Sequence, residues 1–442
     1  MSKPTSIDLL GTSSLHVDRA REAISILVKE LIREANQTPN KDDVETVLLE
    51  LALNRILSAD LLSTIDVPAA DNSAMDGFAF KGKEVDHGKA GNATLRVVAS
   101  AFAGKPYMGS IQDGECIKIM TGALMPAGCD TVIPQELVTV SDTLEGQTIS
   151  FQQNIVKPGE NRRLRGEDLQ MGKPAILAGR LLRPSDLGMA ASLGIDKLTV
   201  QRKLKVAILS SGNELRSIGE QLDAGSIYDS NRFSLIGMLK RLDLEIVDCG
   251  IVRDDPIALK EAFCQAAQKA DVLISSGGVS AGEADFTKQI MEELGDVGFW
   301  KIAMRPGRPM AFGTLKPLPG KTLSRKTLFF GLPGNPVAVM VTFYQFVRAA
   351  LLQLNGATQT KVPTVQALST APIRKKPGRT EFQRAILGRN EQGQAAVSIT
   401  GSQGAGILRS VSEANCFVVL AHEQGNIAAG DWVDVVLFDG LL

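Results

Sequence analysis

DVLISSGGVSAGEADF, Asp271 to Phe286, runs from an apolar strand into a turn of four small residues and on to two carboxylates, Glu283 and Asp285. Its first residues have the uninterrupted apolar character of a strand buried on both faces of a sheet. A Ser-Ser-Gly-Gly turn lets backbone N–H groups converge on an anion. Acids beside such a turn repel the anion unless a cation lies between them, and Mg2+ favours that mixture of carboxylate, phosphate and water.

The same pattern recurs on either side. KVAILSSG (205–212), LEIVDCGIV (244–252), FWKIAM (299–304), RPMAFG (308–313) and TLFFG (327–331) read as strands. NRFSLIGMLKRL, DDPIALKEAFCQAAQKA, TKQIMEELG and the segment after GLPGNP read as helices. In the second of these, Asp255 is placed to cap and Pro256 to occupy the first helical position. Leu259, Ala262, Phe263, Ala266 and Ala270 form its inner stripe. Alternating strands and helices predict a doubly wound, parallel α/β sheet whose ligands bind beyond the carboxyl ends of the strands.

Three glycine turns are expected at that edge: SSGNE (210–214), SSGGVSAGEAD (275–285) and GLPGNP (331–336), with Asn335 placed to cap. One such turn is simply a tight strand–helix link; three together predict an anion pocket. None matches G-x-G-x-x-G or G-x-x-x-x-G-K-[ST]. KIAMRPGRPM adds Lys301, Arg305 and Arg308 as phosphate-gripping cations. Glu214, Asp254, Asp255, Glu283 and Asp285 all fall near predicted strand ends. The combination predicts chemistry on a phosphate-bearing substrate with Mg2+.

The rest of the chain has other textures. HVDRAREAISILVKELIRE (16–34) is an amphipathic helix with Ala20, Ile24, Val28, Leu31 and Ile32 inward, and a second helix is expected over about 44–57. Short β-like runs mixed with Gly, Pro and Asp follow. They include two unusual stretches, PAADNSAMDGFAF (68–80) and ENRRLRGEDLQ (160–170). The expected organisation is a helical linker domain (16–62 with 173–202), an inserted β-rich domain (63–172), the α/β domain (203–354) and a C-terminal β-barrel (355–442).

Composition bounds the function. The chain has 442 residues, 44% hydrophobic and 22% charged, with a net charge of −1, so no global field draws it to nucleic acid or membrane. The first residues lack the basic start and apolar core of a signal peptide, and no apolar run approaches the roughly 18 residues of a spanning helix. The five cysteines are scattered, as in a reducing compartment, so a cytoplasmic protein is expected. The three histidines lie far apart, which disfavours a His-based zinc site or a Ser-His-Asp triad.

The motifs DNSAMDGFAF, IMTGA, RRLRGEDL, SSGNEL, IYDSNR, IVRDDP, SSGGVSAGEADFTK, PGRPMAFG, GLPGNPVAV and GRTEFQR, in that order from about residue 44 onward, together resemble the MoeA family of molybdopterin molybdenumtransferases and the C-terminal part of gephyrin. SSGGVSAGEAD alone is shared with other molybdopterin-binding domains; MDGFA together with GLPGNP is more specific. The resemblance implies a homodimer with its active site between subunits. It implies an enzyme that inserts molybdenum from molybdate into adenylylated molybdopterin, releasing AMP with help from Mg2+. The implied catalytic residues are Asp76, Thr121, Asp168, Glu214, Asp254 and Asp285, the first three reaching the site from the partner subunit. Glu214, Asp254 and Asp285 are the implied metal ligands. Ser275, Ser276, Gly277, Gly278, Ser280, Lys301, Arg305, Pro333, Gly334, Pro336 and Arg384 would bind the substrates. Implied partners are the upstream adenylyltransferase and downstream cofactor-modifying or delivery proteins. Phe78, Asn213, Arg305, Arg308 and Ala405 depart from the residues frequent in the family. Two other functions compete: a molybdopterin adenylyltransferase, disfavoured by MDGFA and the barrel, and a pterin-binding scaffold without turnover, which would not need the acids.

Overall fold

The computed structural model describes residues 14–37, 43–85, 91–144, 146–278, 284–317 and 326–438. Its central sheet contains β1 (Lys205–Ser211), β2 (Glu245–Val252), β3 (Val272–Ser276), β4 (Gly295–Lys301), β5 (Pro309–Leu315) and β6 (Thr327–Leu332). The spatial order is β2-β1-β3-β6-β5-β4. The first four strands in that order are parallel, whereas β5 runs antiparallel to both β6 and β4. The wholly parallel expectation is thus corrected. The link between Lys301 and Pro309 is too short for a parallel crossover, which takes roughly a dozen residues or more.

Five helices flank the sheet: α1 (Val17–Gln37), α2 (Ser230–Lys240), α3 (Pro256–Lys269), α4 (Ala284–Leu294) and α5 (Pro336–Leu354). Strand residues alternate between faces. Val206, Ile208, Ile274 and Phe330 meet α1, α2 and α5, while Ala207, Leu209, Leu273 and Phe329 meet α3 and α4. Phe263 of α3 packs edge-on against Phe329 at 6.0 Å, and both are buried. Truncating either to Ala would cost about 3–5 kcal/mol. The expected cap forms, since Asp255 accepts from the Ala258 N–H and Pro256 follows it.

Helix α5 corrects a second expectation. It is 19 residues long and apolar enough to cross a bilayer, but two thirds of it is buried inside the molecule. Its Val337, Val339, Val341 and Phe346 are core residues of the sheet layer, and that explains the apolar composition.

Residues 44–57 do not form a helix. Val44–Leu48 is a strand, antiparallel to Lys197–Gln201, followed by a short 3-10 turn at Leu49–Leu51. The β-branched Val44, Thr46 and Val47 suit a strand, and a distant partner segment decides the outcome.

The C-terminal strands Thr364–Ser369, Thr380–Arg389, Ala395–Ile399, Cys416–Leu420 and Trp432–Leu437 close into a five-stranded barrel through pairing of Thr380–Arg389 with Cys416–Leu420. Ala367, Ala385, Val397, Val418 and Val435 fill it. Met304–Arg305 adds beside Thr380–Glu381, so the loop after β4 meets the barrel.

This assembly is one compact unit, and Asp60–Leu177 with Gly188–Asp196 forms a second. The second unit is built on a six-stranded sheet that includes Gly77–Phe80 and Glu115–Ile119. Gly77 is required there, because a Cβ would lie 2.0 Å from the Ile133 carbonyl oxygen.

Candidate functional site

The three glycine turns are aligned by strand register. Ser210 of β1 pairs with Ser276 of β3, and Ser276 pairs with Leu332 of β6. All three chains leave the sheet at the same carboxyl edge. The chain leaving β3 enters α4 on one face, whereas those leaving β1 and β6 lead to α2 and α5 on the other. Diverging connections open a crevice at this topological switch point.

A cavity of about 930 Å3 occupies the crevice. The sheet edge contributes Ser211, Ser276, Gly277 and Gly278; the β4–β5 loop adds Arg305 and Arg308; the barrel adds Arg379 and the 403–408 loop. Gly277, at φ +92°, packs so closely that a Cβ would lie 2.4 Å from the Ser211 carbonyl oxygen. The buried Asn231 amide donates to Ser276 Oγ at 2.9 Å and to the Gly334 carbonyl at 2.6 Å, joining two of the turns. Ser210 Oγ, Ser275 Oγ and Asn231 Oδ1 are buried without a hydrogen-bond partner among the described residues. Of these three residues only Asn231 lines the cavity, so its Oδ1 is suited to a polar group of a ligand, whereas Ser275, expected to bind substrate, is buried in β3 and is not part of the lining.

The GLPGNP turn differs in one detail from its expected cap. Asn335 is the N-cap residue of α5 but its side chain makes no capping bond. The Val337 N–H instead donates to the Ala405 carbonyl at 3.1 Å. The barrel loop therefore seals part of the helix N-terminus, and Pro333, Gly334 and Pro336 line the cavity beside it.

The acids gather at the ends of β1 and β2. Glu214 lines the cavity, its carboxylate folded back over Gly212, where a Cβ would lie 2.6 Å from Oε2. Asp254 accepts from the Asn213 N–H at 3.2 Å. Burial raises the pKa of Asp254, the Asn213 N–H lowers it and the Glu214 charge raises it again, with a net upward shift. Two neighbouring carboxylates, one of them resisting ionisation, are suited to a divalent cation that takes its remaining ligands from phosphate and water. No cluster of three metal-binding side chains occurs among the described residues. Ser280 and Glu283 lie outside those residues, as does the side chain of Asp285 in the first turn of α4.

Arg384 sits deeper than its sequence role suggests, only 1% exposed. Its Nε donates to Ser410 Oγ at 3.1 Å and its Nη2 to the Gly404 carbonyl at 3.2 Å, bracing the loop that closes the cavity. Burial and the charge of Arg305 push its pKa down to about 10. Arg305 and Arg384 share a second cavity of about 250 Å3 with Arg374, Gln383 and Gln403. Lys301 ends β4 away from both cavities, its carbonyl accepting from the Leu15 N–H at 2.8 Å.

In the second unit, Gly77 pairs with Ile119, which brings Asp76 beside Thr121. The Asp76 carboxylate accepts from the Thr121 N–H at 2.7 Å and from its Oγ1 at 2.8 Å. These two bonds hold its pKa below the usual carboxylate value. Asp168 is exposed on a loop in which the neighbouring arginines are already paired, Arg163 with Glu167 at 2.6 Å and Arg165 with Asp66 at 2.7 Å.

Residues 15–194 match the MoeA N-terminal region (domains I and II), 207–353 the probable molybdopterin binding domain, and 366–438 the MoeA C-terminal region (domain IV). A molybdopterin molybdenumtransferase of Haemophilus influenzae is 42% identical over 407 residues, covering 92% of this chain and 96% of the relative. The chain belongs to the MoeA family. Gephyrin of Dictyostelium discoideum is 29% identical to this MoeA-family chain, covering 96% of it and 63% of gephyrin. The crystal structure of a molybdopterin biosynthesis moeA protein from Pyrococcus horikoshii superposes with a TM-score of 0.74 at 27% identity, covering 96% of this chain and 100% of that one.

Asn231, Asp229, Arg379, Gln403 and Tyr228 were not singled out from the sequence, although all but Gln403 lie in motifs that carried the resemblance or border them. Asn231 was legible in principle within IYDSNR. Gln403 was not, because its role depends on the barrel folding back onto α5.

Proposed function

We propose that this chain transfers molybdenum from molybdate to the dithiolene of adenylylated molybdopterin, with release of AMP. The observation that carries the reading is the register of three glycine turns around one cavity, lined by arginines and by Glu214, with Asp254 beside Glu214. The 42% identity to a molybdopterin molybdenumtransferase over nearly the whole chain supports the same assignment.

The roles follow from chemistry. Gly277, Gly278 and Gly334 let backbone N–H groups approach phosphate oxygens closely. Ser276 and Asn231 meet polar edges of the pterin or sugar. Arg305 and Arg308 attract the molybdate dianion and hold it near the dithiolene, while Arg384 braces the loop above and adds positive potential. Mg2+ would be held by Glu214 and Asp254, with Asp285 as a further candidate ligand, and when bound would neutralise charge on the oxygens of the cleaved diphosphate. An oxygen of water or of molybdate takes up the phosphorus as its bond to the bridging oxygen breaks, and cleavage rests on positioning and electrostatic stabilisation rather than on a protein nucleophile. In the same reading the chain is a cytoplasmic homodimer, and Asp76, Thr121 and Asp168 of one copy serve the cavity of the other. It takes its substrate from an adenylyltransferase and passes the product to proteins that modify or deliver the cofactor.

The test supplies purified protein with either free molybdopterin plus ATP or adenylylated molybdopterin plus molybdate, both with Mg2+. Turnover of the second mixture alone is expected. Pyrophosphate release from the first would assign the chain to adenylyl transfer instead.

A further inference from the structure

Tyr228 is the sole aromatic among the described residues lining the large cavity. It lies on a two-residue strand, Ile227–Tyr228, paired in parallel with Leu215–Arg216. The backbone is held on both sides, since the Ile227 N–H donates to the Glu214 carbonyl at 2.9 Å and the Asp229 N–H to the Arg216 carbonyl at 3.1 Å. Asp229 is buried and caps α2 by accepting from the Arg232 N–H. The ring is tethered as well: Tyr228 Oη donates to the Glu220 carbonyl at 2.8 Å. Despite these restraints the residue stays 43% exposed.

A pinned aromatic left exposed on the wall of a polar cavity is preorganised to stack on a planar ring. Its position relative to the phosphate turns is fixed by the chain. Asn231, three residues on, bridges Ser276 and Gly334, and the Tyr228 and Asn231 Cα atoms lie at most about 11 Å apart. Tyr228 and the phosphate turns thus line one cavity within reach of a single nucleotide. We propose that Tyr228 is the platform on which the adenine of the adenylylated substrate stacks, fixing the AMP leaving group while the turns hold its phosphate. This rests on the function proposed above and assigns the nucleotide end of the cavity to the Ile227–Tyr228 strand.

The test measures AMP and ribose 5-phosphate binding by calorimetry to wild-type protein, Tyr228→Ala and Tyr228→Phe, with melting temperature and sedimentation recorded for each. Tyr228→Ala is expected to weaken AMP about tenfold, equivalent to about 1.4 kcal/mol, and to leave ribose 5-phosphate within about twofold. Tyr228→Phe keeps the ring and is expected to retain most of the AMP affinity. Equal weakening of both ligands, unchanged AMP binding in Tyr228→Ala, failure of Phe to rescue, or a change in oligomeric state that accounts for the loss would each overturn the inference. Failure of wild-type protein to bind AMP at all would instead strike at the nucleotide-cavity reading beneath it.

Discussion

Asp254 and Asn213 clasp each other across the ends of β2 and β1: the Asn213 N–H donates to Asp254 Oδ2 at 3.2 Å, and the Asp254 N–H donates to Asn213 Oδ1 at 3.3 Å. The clasp holds the partly buried Asp254 carboxylate near Glu214, whose charge opposes ionisation. Because the folded-state pKa is raised, the ionised group opposes folding, and stability falls as pH rises from the unfolded value of 3.8 through the folded one. Asp254→Asn removes that opposition. Without divalent metal, the variant should melt no lower than wild type at neutral pH, while Mg2+ should raise its melting temperature less. The check is thermal denaturation with and without Mg2+; an equal Mg2+ shift in both proteins would remove Asp254 from the metal site.

Asp76 behaves in the opposite sense. Its pKa is lowered by the Thr121 N–H and hydroxyl, so the stability it contributes is present above the unfolded value of 3.8 and lost as pH falls through the folded value. Asp76→Asn should flatten the acid limb of the melting-temperature profile and lower stability modestly at neutral pH, where the ionised carboxylate contributes. In the proposed reading it also abolishes AMP release. A variant with full turnover would remove Asp76 from the site.

Gly277→Ala should be severe. The new Cβ meets the Ser211 carbonyl at 2.4 Å, and the backbone is already at φ +92°. Strain of this kind costs about 1–3 kcal/mol, and the clash adds to it. Urea denaturation should show the loss. Gly114→Ala, also at positive φ but with nothing within 4 Å of the added Cβ, isolates the conformational part and should cost less.

Arg384→Met should loosen the loop that roofs the cavity. It removes the bonds to Ser410 Oγ and the Gly404 carbonyl and strands the Ser410 acceptor. A loss of about 1–3 kcal/mol is expected from the unpaired groups. Arg384→Lys keeps the charge without the fork and should recover only part of the molybdate dependence of turnover. Molybdate titrations of AMP release on the three proteins check this.

The doubly wound sheet was legible because its strands are uninterrupted apolar runs separated by capped helices; Asp255 and Pro256 mark one start unambiguously. The antiparallel β5 was legible only through the short link from Lys301 to Pro309. Residues 44–57 misled because their apolar spacing also fits a helix, and the strand forms through pairing with Lys197–Gln201, about 150 residues away in the chain. At the candidate site, glycine turns announce themselves by composition. The roles of Asn231, Gln403 and Arg384 depend on which loops meet in space: the amide bridging two turns and the barrel loop seated on α5 leave no local signature. That Lys301 lines neither cavity goes with β4 being the outermost strand of the sheet, a position its basic character does not encode.

In the proposed function one cavity both grips molybdate and releases AMP. The direct measurement is AMP released per molybdenum incorporated in a single turnover, followed as molybdate is titrated into protein, adenylylated molybdopterin and Mg2+. One AMP per molybdenum, with negligible release when molybdate is withheld, is the predicted result. AMP release at the same rate without molybdate, or molybdenum incorporation with the nucleotide still attached, would contradict it.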